Sequence, residues 1–375
     1  MIMLEKLTKV SKKILALVFA YIVLIGALVF SDEISTSVLA AINLITNTLI
    51  PSLFVFMIIS SFVANSPICR YISIPFWGIY KFIFKVSGAE MGIVLLSLIG
   101  GYPVGAKLLA DAVKNKKMSP EKASVMLSYC VNCSPAFLIT AVGAGIFSSK
   151  MTGFFIYVSQ VAACLIVGFL VSFRIKKLKS GEDVFSVKKH EPYSFLLVTS
   201  VNSSIKALAL MCGLVILFSV VSPACNYFLG KISEELSLVV GGLIEVTNGC
   251  RSLVGTSASV GACMAALFTS FGGICVHMQT YAMLINTQIK MKFYWIYRIC
   301  YCFISVSITY ILISVFPQVD NCIAVNNEIY HKIYSVSPIS SAFLFFSCIL
   351  LLFFSRKSVK IKTSNAQCKF FDLIH

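Results

Sequence analysis

The chain has 375 residues, 58% of them hydrophobic and only 12% charged, with a mean hydropathy of +0.91 and a formal net charge of +16. A soluble chain of this length needs far more polar surface to cover its core, so the composition excludes a soluble fold and places the chain in a lipid bilayer. The excess of cations does not mark a nucleic-acid surface, because basic and aromatic residues do not interleave as such a module requires.

The first apolar run, residues 14–30, is read as a retained transmembrane helix, since no small-residue cleavage pattern precedes "SDEIS". The cations gather on one set of loops. Lys6, Lys9, Lys12 and Lys13 precede the first run; Arg70, Lys81 and Lys85 follow the second; Lys114, Lys116, Lys117 and Lys122 crowd "KNKKMSPEK"; Arg174 to Lys189 bracket a central polar segment; and Arg356, Lys357, Lys360 and Lys362 come near the end. The opposite loops carry Asp32, Glu33, Glu234, Glu235, Asp320 and Glu328. This asymmetry predicts a multi-pass protein with both termini in the cytoplasm.

The chain is written twice. "TLIPSLFVFMIISSFVANSPIC", "GIVLLSLIGGYPVGAK", "SYCVNCSPAFLITAVGAGIF" and "KMTGFFIYVSQVAACLIVGFLVSF" are answered in the same order by "SIKALALMCGLVILFSVVSPAC", "LSLVVGGLIEVTNGC", "SFGGICVHMQTYAMLINTQI" and "KMKFYWIYRICYCFISVSITYILISVF". The loop charges start the first unit outside and the second inside, so the copies are inverted. The predicted fold is an all-α polytopic membrane protein of two inverted repeats with broken or re-entrant helices, flanked by N- and C-terminal transmembrane helices. The predicted divisions are 1–33 for the N-terminus and first helix, 34–177 for repeat 1, 178–194 for a cytoplasmic linker, 195–317 for repeat 2, and 318–375 for an extracytoplasmic loop, a last helix and a cytoplasmic tail.

The breaks carry the functional expectation. "GGYPVGAK" interrupts an apolar run between two basic loops, which predicts a hairpin entering from the cytoplasmic side with Gly101, Tyr102 and Pro103 near its tip and Gly105 and Lys107 on the returning helix. Asn132, Cys133, Ser134 and Pro135 break the next segment; Glu245, Thr247, Asn248 and Arg251 surround the matching tip in the second half; Ser270, Gly272 and Gly273 break the fourth. Lipid cannot solvate bare peptide groups, so all four breaks must be buried in protein or wet. Gathered around one aqueous chamber, they form a candidate site for a small organic anion, bound by helix N-termini and by Lys107 or Arg251. "GGYP" as a packing turn, Lys107 as the partner of Asp111, and His277 and Gln279 as hydrogen-bonding residues between helices stand beside that reading. Glu245 is expensive at membrane depth, and reads as the carrier of a coupling proton or sodium ion or as the partner of Arg251.

Neither a cofactor nor a metal is expected. The pair Cys130 and Cys133 has ligand spacing but lacks a second Cys-x-x-Cys, and most of the fourteen cysteines lie in apolar runs as packing residues. Nor is enzyme chemistry expected, because Cys130, Ser134 and His277 show no spacing that pairs a nucleophile with a base.

Four motifs, "GGYPVGAK", "NCSPAF", "GLIEVTNG" and "SFGGICVHMQ", occur in this order and resemble the YlbJ family of sporulation integral membrane proteins, within the nucleoside-recognition or Gate domain group. The resemblance covers roughly residues 10–355; the family prefers Ser-Gly-Pro where this chain has Cys133, Ser134 and Pro135. It implies a protein of the cell membrane or outer forespore membrane of a spore-forming bacterium, similar to the exporter of dipicolinic acid. A nucleoside or another small carboxylate as substrate, and a non-transporting scaffold for spore envelope assembly, remain alongside.

Overall fold

The computed structural model describes residues 31–177 and 192–316, together with Leu17 and Tyr21. The expected first transmembrane helix, most of the linker, and the expected last helix and tail lie outside the described residues. Among the described residues all regular structure is helical, as lipid demands of a chain that must satisfy its backbone polar groups within each segment.

In the first half, α1 (Ser31–Leu44) runs through a π-helical stretch (Ile45–Phe54) directly into α2 (Val55–Asn65), so residues 31–65 form one continuous helical rod rather than a hairpin. Pro51, which has no N–H to give to the ladder, lies inside the wider π-helical turns. A short segment follows, made of α3 (Ile68–Ile72), a 3₁₀ turn (Ile74–Phe76) and a π-helical stretch (Ile79–Phe84). It exposes Tyr71, Ile74, Trp77 and Phe82, with Lys81 Nζ 4.6 Å from the Trp77 ring, the composition of a membrane–water interface. Next come α4 (Gly88–Gly100), α5 (Val104–Lys114), α6 (Pro120–Met126), a π-helical stretch (Phe137–Ala144) and the long α7 (Lys150–Lys177). A capping box starts α4: Ser87 N donates to Glu90 Oε2 at 2.7 Å and Glu90 N to Ser87 Oγ at 3.4 Å.

The second half repeats the order of long helix, broken pair, broken pair and long helix: α8 (Tyr193–Gly230), α9 (Glu234–Ile244) with α10 (Val246–Arg251), α11 (Ala258–Phe271) with α12 (Gly273–Leu284), and α13 (Lys292–Val315). Among the described residues, four helical stretches are long and apolar enough to cross a membrane: Lys150–Arg174, Tyr193–Val220, Ser259–Leu284 and Lys292–Val315. The protein is therefore an all-α, multi-pass integral membrane protein.

The two halves meet through corresponding helices: α2 packs on α8 and α7 on α13. Both seams carry hydroxyl pairs. Ser61 and Ser203 Oγ atoms stand 3.4 Å apart at the first; Ser159 Oγ lies 3.2 Å from Ser305 Oγ and accepts from Thr309 Oγ1 at 2.7 Å at the second. With apolar lipid on the outside, such small residues and interhelical hydrogen bonds replace the hydrophobic drive of a soluble core.

Candidate functional site

Each helix break is held by a specific local device. Between α4 and α5, Gly101 takes a φ of +72°, a backbone that L-residues rarely adopt, and a Cβ there would stand 2.8 Å from Ser134 N. The tip of the first hairpin thus rests directly on the second break. Pro103 precedes α5, and Gly105 lets the new helix press against the segment before the second break, since a Cβ would fall 1.6 Å from the Cys130 carbonyl oxygen. Ser134 restarts the helix by accepting from Phe137 N at 3.2 Å. Asn132 ties the same break to its surroundings: its Nδ2 donates to Tyr129 O at 2.9 Å, and its Oδ1 accepts from the Tyr301 hydroxyl at 2.8 Å.

The second half uses different chemistry for the same purpose. Glu245 is extended between α9 and α10, and its carboxylate accepts from Thr247 N at 3.0 Å and Asn248 N at 2.7 Å. It is the cap of α10, a negative group on the positive end of a helix. Gly272 and Gly273, at φ of +93° and +64°, join α11 to α12; a Cβ on Gly273 would lie 3.1 Å from Ile244 O and 3.2 Å from Val246 Cγ2. The fourth break therefore rests on the third as the first rests on the second.

Three of the four breaks open on one cleft of about 730 Å³ of space, its open side included, and the fourth reaches it only through α12. Gly101 and Tyr102, Cys133 and Ser134, and Glu245 and Thr247 contribute wall from the first three breaks, and Val276 and Gln279 from α12, whereas Ser270, Gly272 and Gly273 of the fourth break do not line it. Leu53, Met211 and Val215 close it with apolar surface from the two long first helices. Glu245, only 4% exposed, is the one charged residue in the wall among the described residues.

Not every residue singled out from sequence sits there. Lys107 is buried away from the cleft wall, where Nζ donates to Ser203 Oγ at 2.8 Å, Ser61 Oγ at 2.9 Å and Asp111 Oδ2 at 2.9 Å. Its ammonium is consumed by the seam between the halves. Arg251 is exposed at the end of α10 and does not pair with Glu245, whose acceptors are taken by its own helix. The N–H groups expected to face an anion at α10 are taken by the same cap. Asn248 is half-buried and enters through its backbone; Ser270 is buried and donates to Leu267 O at 3.2 Å. His277 Nδ1 lies 2.6 Å from the Tyr294 hydroxyl, and Gln279 Nε2 donates to Cys275 Sγ at 3.4 Å.

The residue that sequence reading passed over is Arg298. It lies on α13 with 1% of its surface exposed, and its Nε donates to Phe271 O at 2.9 Å and its Nη1 to Val131 O at 2.6 Å. Those are carbonyls that the fourth and second breaks leave without a helical partner. The faces of Tyr294 and Tyr301 flank the guanidinium at 5.5 and 5.1 Å. A lone arginine inside the apolar run "YWIYRICYCF" was the available signal.

The chain is 24% identical over 285 residues to the sporulation integral membrane protein YlbJ of Bacillus subtilis (strain 168), in an alignment covering 66% of this chain and 70% of that protein. The chain is thus similar to YlbJ over about two thirds of its length. No protein-family model and no solved structure matches it. The cleft offers a solute hydroxyls from Ser134 and Thr247, the Gln279 amide, the Tyr102 ring and a carboxylate already neutralised in part by two backbone donors.

Proposed function

We propose that this protein is a secondary transporter that moves a small organic anion through the cleft, with dipicolinate as the favoured substrate, across the outer forespore membrane during sporulation. The observation that carries the reading is the convergence on one cleft of three helix interruptions, two from the first half and one from the second, together with the helix that starts at the fourth. Broken helices near the midplane at the junction of two inverted repeats are the usual substrate site of secondary transporters. Alternating access requires the halves to move against one another. The hydroxyl pairs at Ser61 with Ser203 and at Ser159 with Ser305 suit such a seam, because hydroxyls rotate and exchange partners at small cost. Glu245, poised at the cleft on a helix terminus, is assigned the coupling proton or sodium ion. The sporulation setting rests on the name of the similar Bacillus subtilis protein.

The test is uptake of radiolabelled pyridine-2,6-dicarboxylate into proteoliposomes of the purified protein, with unlabelled nucleosides and monocarboxylates as competitors. Saturable uptake displaced by dicarboxylates and not by nucleosides is expected. Displacement by nucleosides alone moves the substrate to that class, and a protein that inserts but carries no solute is a scaffold.

A further inference from the structure

We infer that Arg298 is the residue that makes the cleft accept an anion. This rests on the transport reading above and names the charge that reading lacks. An anion entering a wall whose one charged group is the Glu245 carboxylate meets repulsion, and the two cations marked in the sequence lie elsewhere: Lys107 in the seam and Arg251 on the surface. Arg298 is the buried cation that remains beside the breaks. Among the described residues its guanidinium has no carboxylate partner, and its buried Nη2 has no hydrogen-bond partner. An isolated buried charge with an unused donor is costly, and such groups persist where something supplies the missing partner.

The geometry puts that donor immediately behind the cleft. A Cβ on Gly272 would stand 3.3 Å from Arg298 Nη2 and 3.2 Å from Val276 Cγ1, a wall atom. Tyr102 and Cys133, two further wall residues, lie within electrostatic reach of the same guanidinium. Nε and Nη1 meanwhile hold carbonyls of two breaks, one from each half, which fixes the charge relative to both hairpin tips. Arg298 is thus a positioning residue for charge: its donors staple the breaks, and its remaining N–H and its field set which solutes the cleft prefers.

The experiment compares binding of pyridine-2,6-dicarboxylate with that of its uncharged diamide to purified full-length protein. Wild type is expected to prefer the dianion. Arg298→Gln should weaken dicarboxylate binding by about tenfold to a hundredfold while leaving the diamide within about threefold, so that the preference collapses. Equal loss of both ligands marks a purely structural staple and overturns the inference, as does an unchanged preference. Should Arg298→Gln fail to fold, Cys133→Asp, which puts a carboxylate beside the guanidinium, must abolish the preference while Cys133→Asn keeps it; a preference that survives Cys133→Asp overturns the inference equally. Wild-type protein that binds neither ligand contradicts the transport reading instead.

Discussion

Lys107 Nζ, on α5 of the first half, donates to Ser203 Oγ on α8 of the second half at 2.8 Å. An ammonium has three donors, and here all three are used: Ser203, Ser61 and Asp111. The contact ties the halves together across a seam where the hydroxyls of Ser200 and Ser204 are buried without hydrogen-bond partners among the described residues. Lys107→Met leaves Asp111 stranded, and the expected loss is about 2–3 kcal/mol, below the range for a fully buried pair because the Asp111 side chain is 21% exposed. Adding Asp111→Leu should restore part of it. Thermal unfolding of the purified single and double variants reads both effects.

The glycines of the first break differ sharply from Gly213 on the long helix α8. Gly101→Ala adds a Cβ 2.8 Å from Ser134 N at a φ of +72°, so strain of about 1–3 kcal/mol adds to a clash with backbone that has nowhere to go. Gly105→Ala meets the Cys130 carbonyl oxygen at 1.6 Å. Gly213→Ala, on α8, has nothing within 4 Å of its new methyl group. Yield and melting temperature should fall for the first two and stay level for the third.

Glu245 has a structural task and a proposed functional one, and the two separate by substitution. Glu245→Ala removes the cap of α10, an expected cost of about 1 kcal/mol, together with the carboxylate. Glu245→Gln keeps one acceptor and removes the charge. With a coupling ion carried on Glu245, this variant retains substrate exchange across the vesicle membrane and loses uptake driven by an ion gradient. Gradient-driven uptake at the wild-type rate places the coupling elsewhere.

The breaks were legible because they violate what lipid permits: "GGYP", "NCSP", "EVTNG" and "FGG" are poor choices for an uninterrupted span. Their pairing was not. That Gly101 lies against Ser134 and Gly273 against Ile244 follows from close backbone approach, which a single sequence does not encode as pattern. Lys107 pointed at Asp111 by its spacing of one helical turn, while Ser203, 96 positions away, was out of reach of any local argument. Arg298 was hidden by its own neighbours, since its aromatic and aliphatic flanks read as an ordinary span and its acceptors are backbone carbonyls of residues 131 and 271.

The central claim is that wall residues from both halves face one water-filled cleft that holds the substrate. Thr140→Cys in the first half and Thr247→Cys in the second, each in a background with the native cysteines replaced, measure it directly, because both positions line the cleft. Reaction with a membrane-impermeant thiol reagent is expected at both, slowed at both by pyridine-2,6-dicarboxylate. Modification of one position alone, or rates at both that ignore the dicarboxylate, contradicts a shared substrate cleft.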